Sequence, residues 1–174
     1  MLSHIVKNTI EDVPDFPMPG VNFKDIAPLL LDANLCNKIT DFFCELPLEK
    51  PDAICAIESR GFFFGMLLAN KLNVPFIMVR KKGKLPGEVI SESYDLEYGS
   101  ATIEIQKKAI KKGQKIWIHD DVLATGGTAA AAARLIQKQD AQVLGFTFLM
   151  ELSFLNGRDY LKSLDVPIES LVLY

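Results

Sequence analysis

The sequence predicts an α/β domain built on a mainly parallel sheet flanked by helices. Three observations predict it. Short apolar runs recur at 53–57, 76–79, 116–118, 143–149 and 168–173, each the length of a buried strand. Helix-forming stretches separate most of these runs, as parallel connections require. Polar, glycine-bearing segments (58–61, 80–87 and 120–128) follow three of the runs, at the strand ends where open parallel sheets hold ligands.

The elements follow in order. Leu2 to Ile10 reads as a short helix with Leu2, Ile5 and Val6 on one side. Val13 to Pro28 carries Pro14, Pro17, Pro19 and Pro28, which forbid both a helix and a central strand. Its apolar residues, Phe16, Met18, Val21, Phe23 and Ile26, make it either a flap over the core or a lid over a ligand. Leu29 to Leu46 is mainly helix, with Asp32 as a candidate N-cap and Leu35, Ile39, Phe42, Phe43 and Leu46 as its apolar stripe. The strand 53–57 leads through Glu58-Ser59-Arg60-Gly61 into a helix from about Phe62 to Leu72. The strand 76–79 ends in four basic residues within five positions, Arg80, Lys81, Lys82 and Lys84. Val89 to Ile105 predicts a hairpin turning at Gly99-Ser100, with Ile103 and Ile105 alternating against Thr102 and Glu104. Lys107 to Lys111 predicts a short helical connection ended by Gly113. A strand over 143–149, a short helix within 151–163 and a last strand over 168–173 complete the chain.

Length and composition set the outer bounds. A chain of 174 residues suits one domain with a full core, here divided into an N-terminal helix and hood (1–28) and a core (29–174) with its hairpin at about 89–105. Its hydrophobic fraction of 49% and charged fraction of 24% are ordinary for a globular protein. A net charge of −3 speaks against a general nucleic-acid surface. Cys36, Cys44 and Cys55 lack metal-ligand spacing and read as thiols in a reducing cytoplasm. There is no signal-peptide pattern and no apolar run of membrane-spanning length, so no membrane partner is expected.

The stretch KIWIHDDVLATGGTAAAAAR (115–134) carries the most chemistry. It reads as a strand, an acidic tip at Asp120 and Asp121, a small-residue loop over Ala124, Thr125, Gly126, Gly127 and Thr128, and then a helix of alanines. Unpaired N–H groups and the positive dipole end meet at that helix start. The glycines let an anion approach the backbone, and the threonines add hydroxyls, which together make a cradle for one phosphate. No lysine follows the glycines, so this is not a P-loop. Carboxylates beside a phosphate suit ribose hydroxyls or a hydrated Mg²⁺. The bland alternatives are a glycine-rich turn here, a surface pair between Arg60 and Glu58, a solvated basic loop over 80–84 and a solvated carboxylate at Glu97.

This stretch resembles the phosphoribosyl-pyrophosphate (PRPP) motif of type I phosphoribosyltransferases. FPMPGVNFKDI, ESRGF, VRKKGKLPG, YDLEYG and DDVLATGGT, in that order, resemble the adenine-specific branch of that family, from about Phe16 onward. The resemblance implies the type I fold with a flexible hairpin and an N-terminal hood. It implies conversion of adenine and PRPP to AMP and pyrophosphate in purine salvage, with Mg²⁺ held mainly through substrate and water rather than by a protein ligand set. It further implies the site. Ala124 to Thr128 hold the 5′-phosphate, and Asp120 and Asp121 hold the ribose hydroxyls. Ser59, Arg60, Arg80, Lys81 and Lys84 meet the pyrophosphate. Asn22, Phe23 and Lys24, with Arg60, meet adenine. Glu97 is the general acid/base, and Tyr98 closes with it. A homodimer is implied in the same way. Two positions depart from the family pattern: Lys24 stands where arginine is common, and His119 where an aliphatic residue is usual. Competing readings are transfer to another purine, a PRPP-sensing regulator without catalysis, and a structural α/β domain. The last leaves the paired acids and the basic strand end unexplained.

Overall fold

A computed structural model describes residues 1–95 and 99–174, which divide into two compact units, 1–45 and 46–174. The first unit begins with α1 (Leu2–Thr9). Val6 is buried and Leu2 and Thr9 are half-buried, one face at spacings of four and three. Ile5, expected on that face, is exposed, because neighbouring helical positions lie about 100° apart. The proline-rich segment differs from the loop expected. It forms a two-stranded antiparallel ribbon of β1 (Glu11–Pro14) and β2 (Asn22–Asp25), with Pro17 and Pro19 in the connection. Such a ribbon has only edges, so Pro14 at a strand end is tolerated. Asp12 and Lys24 face one another in register and form an ion pair, and the Phe16 and Phe23 rings meet edge-on at 5.1 Å. After α2 (Ala27–Leu30), α3 (Ala33–Cys44) starts at the expected cap: the Asp32 carboxylate accepts from the Asn34 and Leu35 N–H groups at 2.9 and 3.0 Å. Such a cap contributes about 1 kcal/mol.

The second unit contains a seven-stranded sheet. Its elements in chain order are β3 (Ala53–Ile57), α4 (Gly61–Leu72), β4 (Phe76–Lys81), β5 (Val89–Asp95), β6 (Ser100–Gln106), β7 (Lys115–Leu123), α5 (Gly127–Gln137), β8 (Gln142–Glu151), α6 (Gly157–Leu161) and β9 (Ile168–Leu173). The spatial order is β5-β6-β4-β3-β7-β8-β9. Strands β4, β3, β7, β8 and β9 run parallel, and β5 and β6 join antiparallel beyond β4. The expected parallel sheet with one inserted hairpin is thus present, and helices cover both faces. Ala53, Cys55 and Ile57 of β3 pack in one core with the buried alanines 129–133 of α5. Ala56 faces the other way, against Gly65 of α4, where an added Cβ would stand 2.6 Å from the Ala56 Cβ.

Two expectations are corrected. Residues 107–111 form a turn and a bend leading into irregular chain rather than a helix, because so short a segment does not offset the cost of helix nucleation. Asp120 and Asp121, expected at a tip beyond the strand, lie within β7, whose ladder with β8 runs on to Leu123 and Glu151. The three cysteines are free thiols; burial pushes Cys55 up to about 12. His119 is buried beside Thr147 (Nδ1 to Oγ1, 2.9 Å), and burial holds it down to about 3, so it stays neutral.

Candidate active site

The polar groups of β3, β4 and β7 gather at the carboxyl ends of these three adjacent strands. At the end of β7, Asp121 is buried and Asp120 half-buried. The Asp120 carboxylate accepts from the Asp121 N–H at 2.8 Å. Burial raises the Asp120 carboxyl well above its ordinary range, and the neighbouring Asp121 charge raises it further. Burial also raises Asp121, although the Arg60 guanidinium works against that shift. Arg60, at the start of α4, brings its Nε within 2.7 Å of Asp121 Oδ2. The close approach of α4 depends on Gly61, where a Cβ would stand 2.7 Å from Asp120 Oδ1.

The loop after β7 has the form expected of a phosphate cradle. Gly126 takes φ +86°, a left-handed conformation that suits glycine, and α5 begins at Gly127. A cleft of about 130 Å³ lies between Asp120 and this loop, lined by Ala124, Thr125, Gly126 and Thr128. Thr125 is exposed, and Ala124, Gly127 and Thr128 are half-buried. The loop rests on α6: a Cβ on Gly157 would stand 2.1 Å from the Ala124 carbonyl oxygen.

The structure brings the 59–60 and 80–84 segments to the same edge, but with partners the sequence did not indicate. Glu58, considered above as a surface partner of Arg60, instead holds Arg80. Arg80 Nε donates to Glu58 Oε2 at 3.0 Å, and the Lys81 N–H donates to the same oxygen at 3.0 Å. Burial pushes the Glu58 carboxyl up, but these donors outweigh it and leave it below its usual range. Arg80 also donates to the Lys84 carbonyl at 3.0 Å. Ser59, Lys81 and Lys84 are exposed. The sequence set Glu104 with Thr102 in alternation against Ile103 and Ile105. Glu104 is buried, and accepts from the Gly83 N–H at 2.9 Å and the Ser91 hydroxyl at 3.1 Å. It thereby fastens the basic loop to the hairpin.

Asn22, Phe23 and Lys24 lie on β2 of the first unit, exposed, half-buried and half-buried respectively. Glu97 and Tyr98 lie outside the described residues. Among the described residues no group of three or more His, Cys, Asp or Glu could hold a metal ion. The hard oxygen donors of Asp120 and Asp121 fit the other arrangement, a Mg²⁺ met through substrate and water. The supporting roles of Glu58, Glu104 and Gly157 were not legible, because their partners stand far off in the chain.

Comparison with known proteins gives a consistent result. The family model of the phosphoribosyl transferase domain matches residues 32–168. An adenine phosphoribosyltransferase of Christiangramia forsetii is 52% identical over 170 residues, covering 97% of this chain and 98% of its own. A solved adenine phosphoribosyltransferase of Thermoanaerobacter pseudethanolicus superimposes with a TM-score of 0.95 at 43% identity, covering 100% of both chains. The Saccharomyces cerevisiae enzyme, solved with an imino-altritol bisphosphate and adenine, gives a TM-score of 0.91 at 42% identity, covering 98% of each chain.

Proposed function

Since the chain belongs to the phosphoribosyl transferase domain family and, within it, to the adenine phosphoribosyltransferases, we propose that it joins adenine to the 5-phosphoribosyl group of PRPP, giving AMP and pyrophosphate. The observation that carries this reading is the meeting, at one sheet edge, of two adjacent carboxylates, the Arg60 loop and a glycine-threonine loop opening a helix.

Each group has a role that suits its chemistry. The N–H groups at the start of α5, with Thr125 and Thr128, hold the 5′-phosphate. Asp120 and Asp121 accept hydrogen bonds from the ribose hydroxyls. Ser59, Arg60, Arg80, Lys81 and Lys84 meet the pyrophosphate, whose negative charge grows as the glycosidic bond to it breaks. Glu58 and Glu104 hold the basic segment in place from behind. Asn22, Phe23 and Lys24, together with Arg60, read adenine. The Asp12–Lys24 pair keeps the lysine on the ribbon whatever its part in base recognition. Adenine attacks through N9 and loses a proton, which Glu97 manages as general acid/base while Tyr98 closes over it. A Mg²⁺ ion, when bound, neutralises diphosphate charge; Asp120 and Asp121 are the carboxylates that would face its water shell.

The chain is read as one working domain, residues 1–28 forming its hood. The free thiols support a reducing, cytoplasmic setting. Phe63, Met66 and Leu67, spaced as one helical face and 46%, 50% and 38% exposed, support a homodimer.

A panel of bases tests the reading. The protein is mixed with PRPP and Mg²⁺, and adenine, hypoxanthine, guanine and xanthine are added in separate cells while nucleotide and pyrophosphate are followed. Turnover confined to adenine is expected. Turnover of a 6-oxopurine would overturn the base assignment, and PRPP binding without any turnover would overturn catalysis.

A further inference from the structure

Strand β5 lies along helix α5 and is tied to it at successive levels. Near the helix start, Thr128 Oγ1 donates to the Tyr94 hydroxyl at 3.0 Å. Further along, Arg134 Nε lies 2.5 Å from Glu92 Oε1. Beyond the helix end, Lys138 Nζ reaches Glu92 Oε2 at 2.6 Å and donates to the Ser91 carbonyl at 3.1 Å. The Tyr94 ring covers Gly127, where an added Cβ would stand 3.3 Å from its Cδ2. Ion pairs and ring packing suffice to dock the strand; a phenylalanine would pack as well. The hydroxyl therefore calls for a separate account.

A hydroxyl has one hydrogen to donate and two lone pairs to accept with. In the structure Thr128 gives its hydrogen to Tyr94. A phosphate oxygen only accepts, so Thr128 must turn its hydrogen toward a bound phosphate. The Tyr94 hydroxyl can then reverse and donate to the Thr128 oxygen. The result is a chain from Tyr94 through Thr128 to the phosphate, in which each bond polarises the next. We propose that Tyr94 is a positioning residue for the 5′-phosphate: its hydroxyl aims the Thr128 hydroxyl and supports it as a donor. The inference rests on the phosphoribosyl-transfer reading above. It also gives β5 a part in ligand binding beyond carrying the hairpin.

The test measures ribose 5-phosphate and pyrophosphate separately by titration calorimetry, using the wild-type protein, Tyr94→Phe, Thr128→Ala and the double variant. Tyr94→Phe is expected to weaken ribose 5-phosphate about 3- to 10-fold, the size of one hydrogen bond, and to change pyrophosphate affinity less than about twofold. In the Thr128→Ala background the same change is expected to have no further effect. Equal weakening of both probes, an undiminished loss without Thr128, or no loss at all would overturn the relay. Absence of ribose 5-phosphate binding to the wild-type protein would instead overturn the functional reading, and the inference with it. A second measurement does not depend on the variant folding. In protein labelled with 3-fluorotyrosine, the ¹⁹F resonance of Tyr94 should shift on adding ribose 5-phosphate but not pyrophosphate; a resonance unmoved by ribose 5-phosphate would also overturn the relay.

Discussion

Asp120 and Asp121 show what a pair of buried, adjacent carboxylates costs a fold. The folded state holds the Asp120 proton more tightly than the unfolded chain, because burial and then the Asp121 charge oppose ionisation. An unfolded aspartate titrates at about 3.9. Asp120 therefore costs stability progressively as pH rises from that value toward the raised folded pKa. Asp120→Asn removes the cost while removing a proposed ribose partner. The variant is expected to melt above the wild type at pH 7, with an advantage that narrows toward pH 4, and to use PRPP poorly. Thermal melts at the two pH values check this; an equal advantage at both would contradict the assigned cause. The candidacy of such residues was legible in the sequence, since two acids before a glycine-threonine loop imply a specific chemistry. Their partnerships were not. Arg60 reaches Asp121 and Arg80 reaches Glu58 only because α4 and β4 return those residues to one sheet edge.

At the scale of elements, the candidate phosphate loop is shaped as much by α6 as by its own residues. Gly126 carries the left-handed turn, and a Cβ there would stand 2.8 Å from the Gly157 carbonyl oxygen. Gly157 in turn leaves room for the Ala124 carbonyl. Gly157→Ala is expected to destabilise the fold by about 1–3 kcal/mol through overpacking. It should also weaken ribose 5-phosphate more than pyrophosphate. Denaturant melts and the two titrations check both parts, and a stable variant with normal ribose 5-phosphate affinity would refute the contact's importance. Periodicity and apolar runs located nearly every strand and helix. They failed at 107–111, where a short segment did not nucleate a helix, and where pairing overrode local preference. β7 continues through both aspartates because β8 supplies a ladder that far. The proline-rich segment pairs because a two-stranded ribbon can end a strand on proline. Alanines 129–133 were read for helix propensity, yet they are buried, letting α5 lie close to the sheet.

Across the larger unit, the parallel strand order brings the candidate phosphate-, ribose- and pyrophosphate-facing residues to one edge, while charged clamps hold the sheet and its flanking elements elsewhere. Glu151, buried at the end of β8, accepts from Arg158 Nε at 3.0 Å and Nη2 at 2.7 Å and from the Ser170 hydroxyl at 2.8 Å. The Arg158 hydrogen bonds hold its carboxyl below the usual range against the opposing effect of burial. Its contribution to stability is therefore present above the unfolded value of about 4.3 and lost as pH falls through the lowered folded value. Glu151→Gln is expected to melt well below the wild type at pH 7, with the gap closing below about pH 4 as the native carboxyl takes up its proton. A gap that stays constant with pH would show that charge is not what the clamp uses. Arg158 also donates to the Ile168 carbonyl at 2.8 Å, so the clamp draws the last strand toward α6. That arrangement has a consequence for biosynthesis. Every ligand-facing residue proposed above precedes Gly157, whereas the support under the 124–128 loop begins with it. A ribosome releasing chain at about 5–20 residues per second delivers the grip first and its footing last. A nascent polypeptide stalled before Gly157 would carry all the assigned ligand groups and still lack the floor that shapes its cradle.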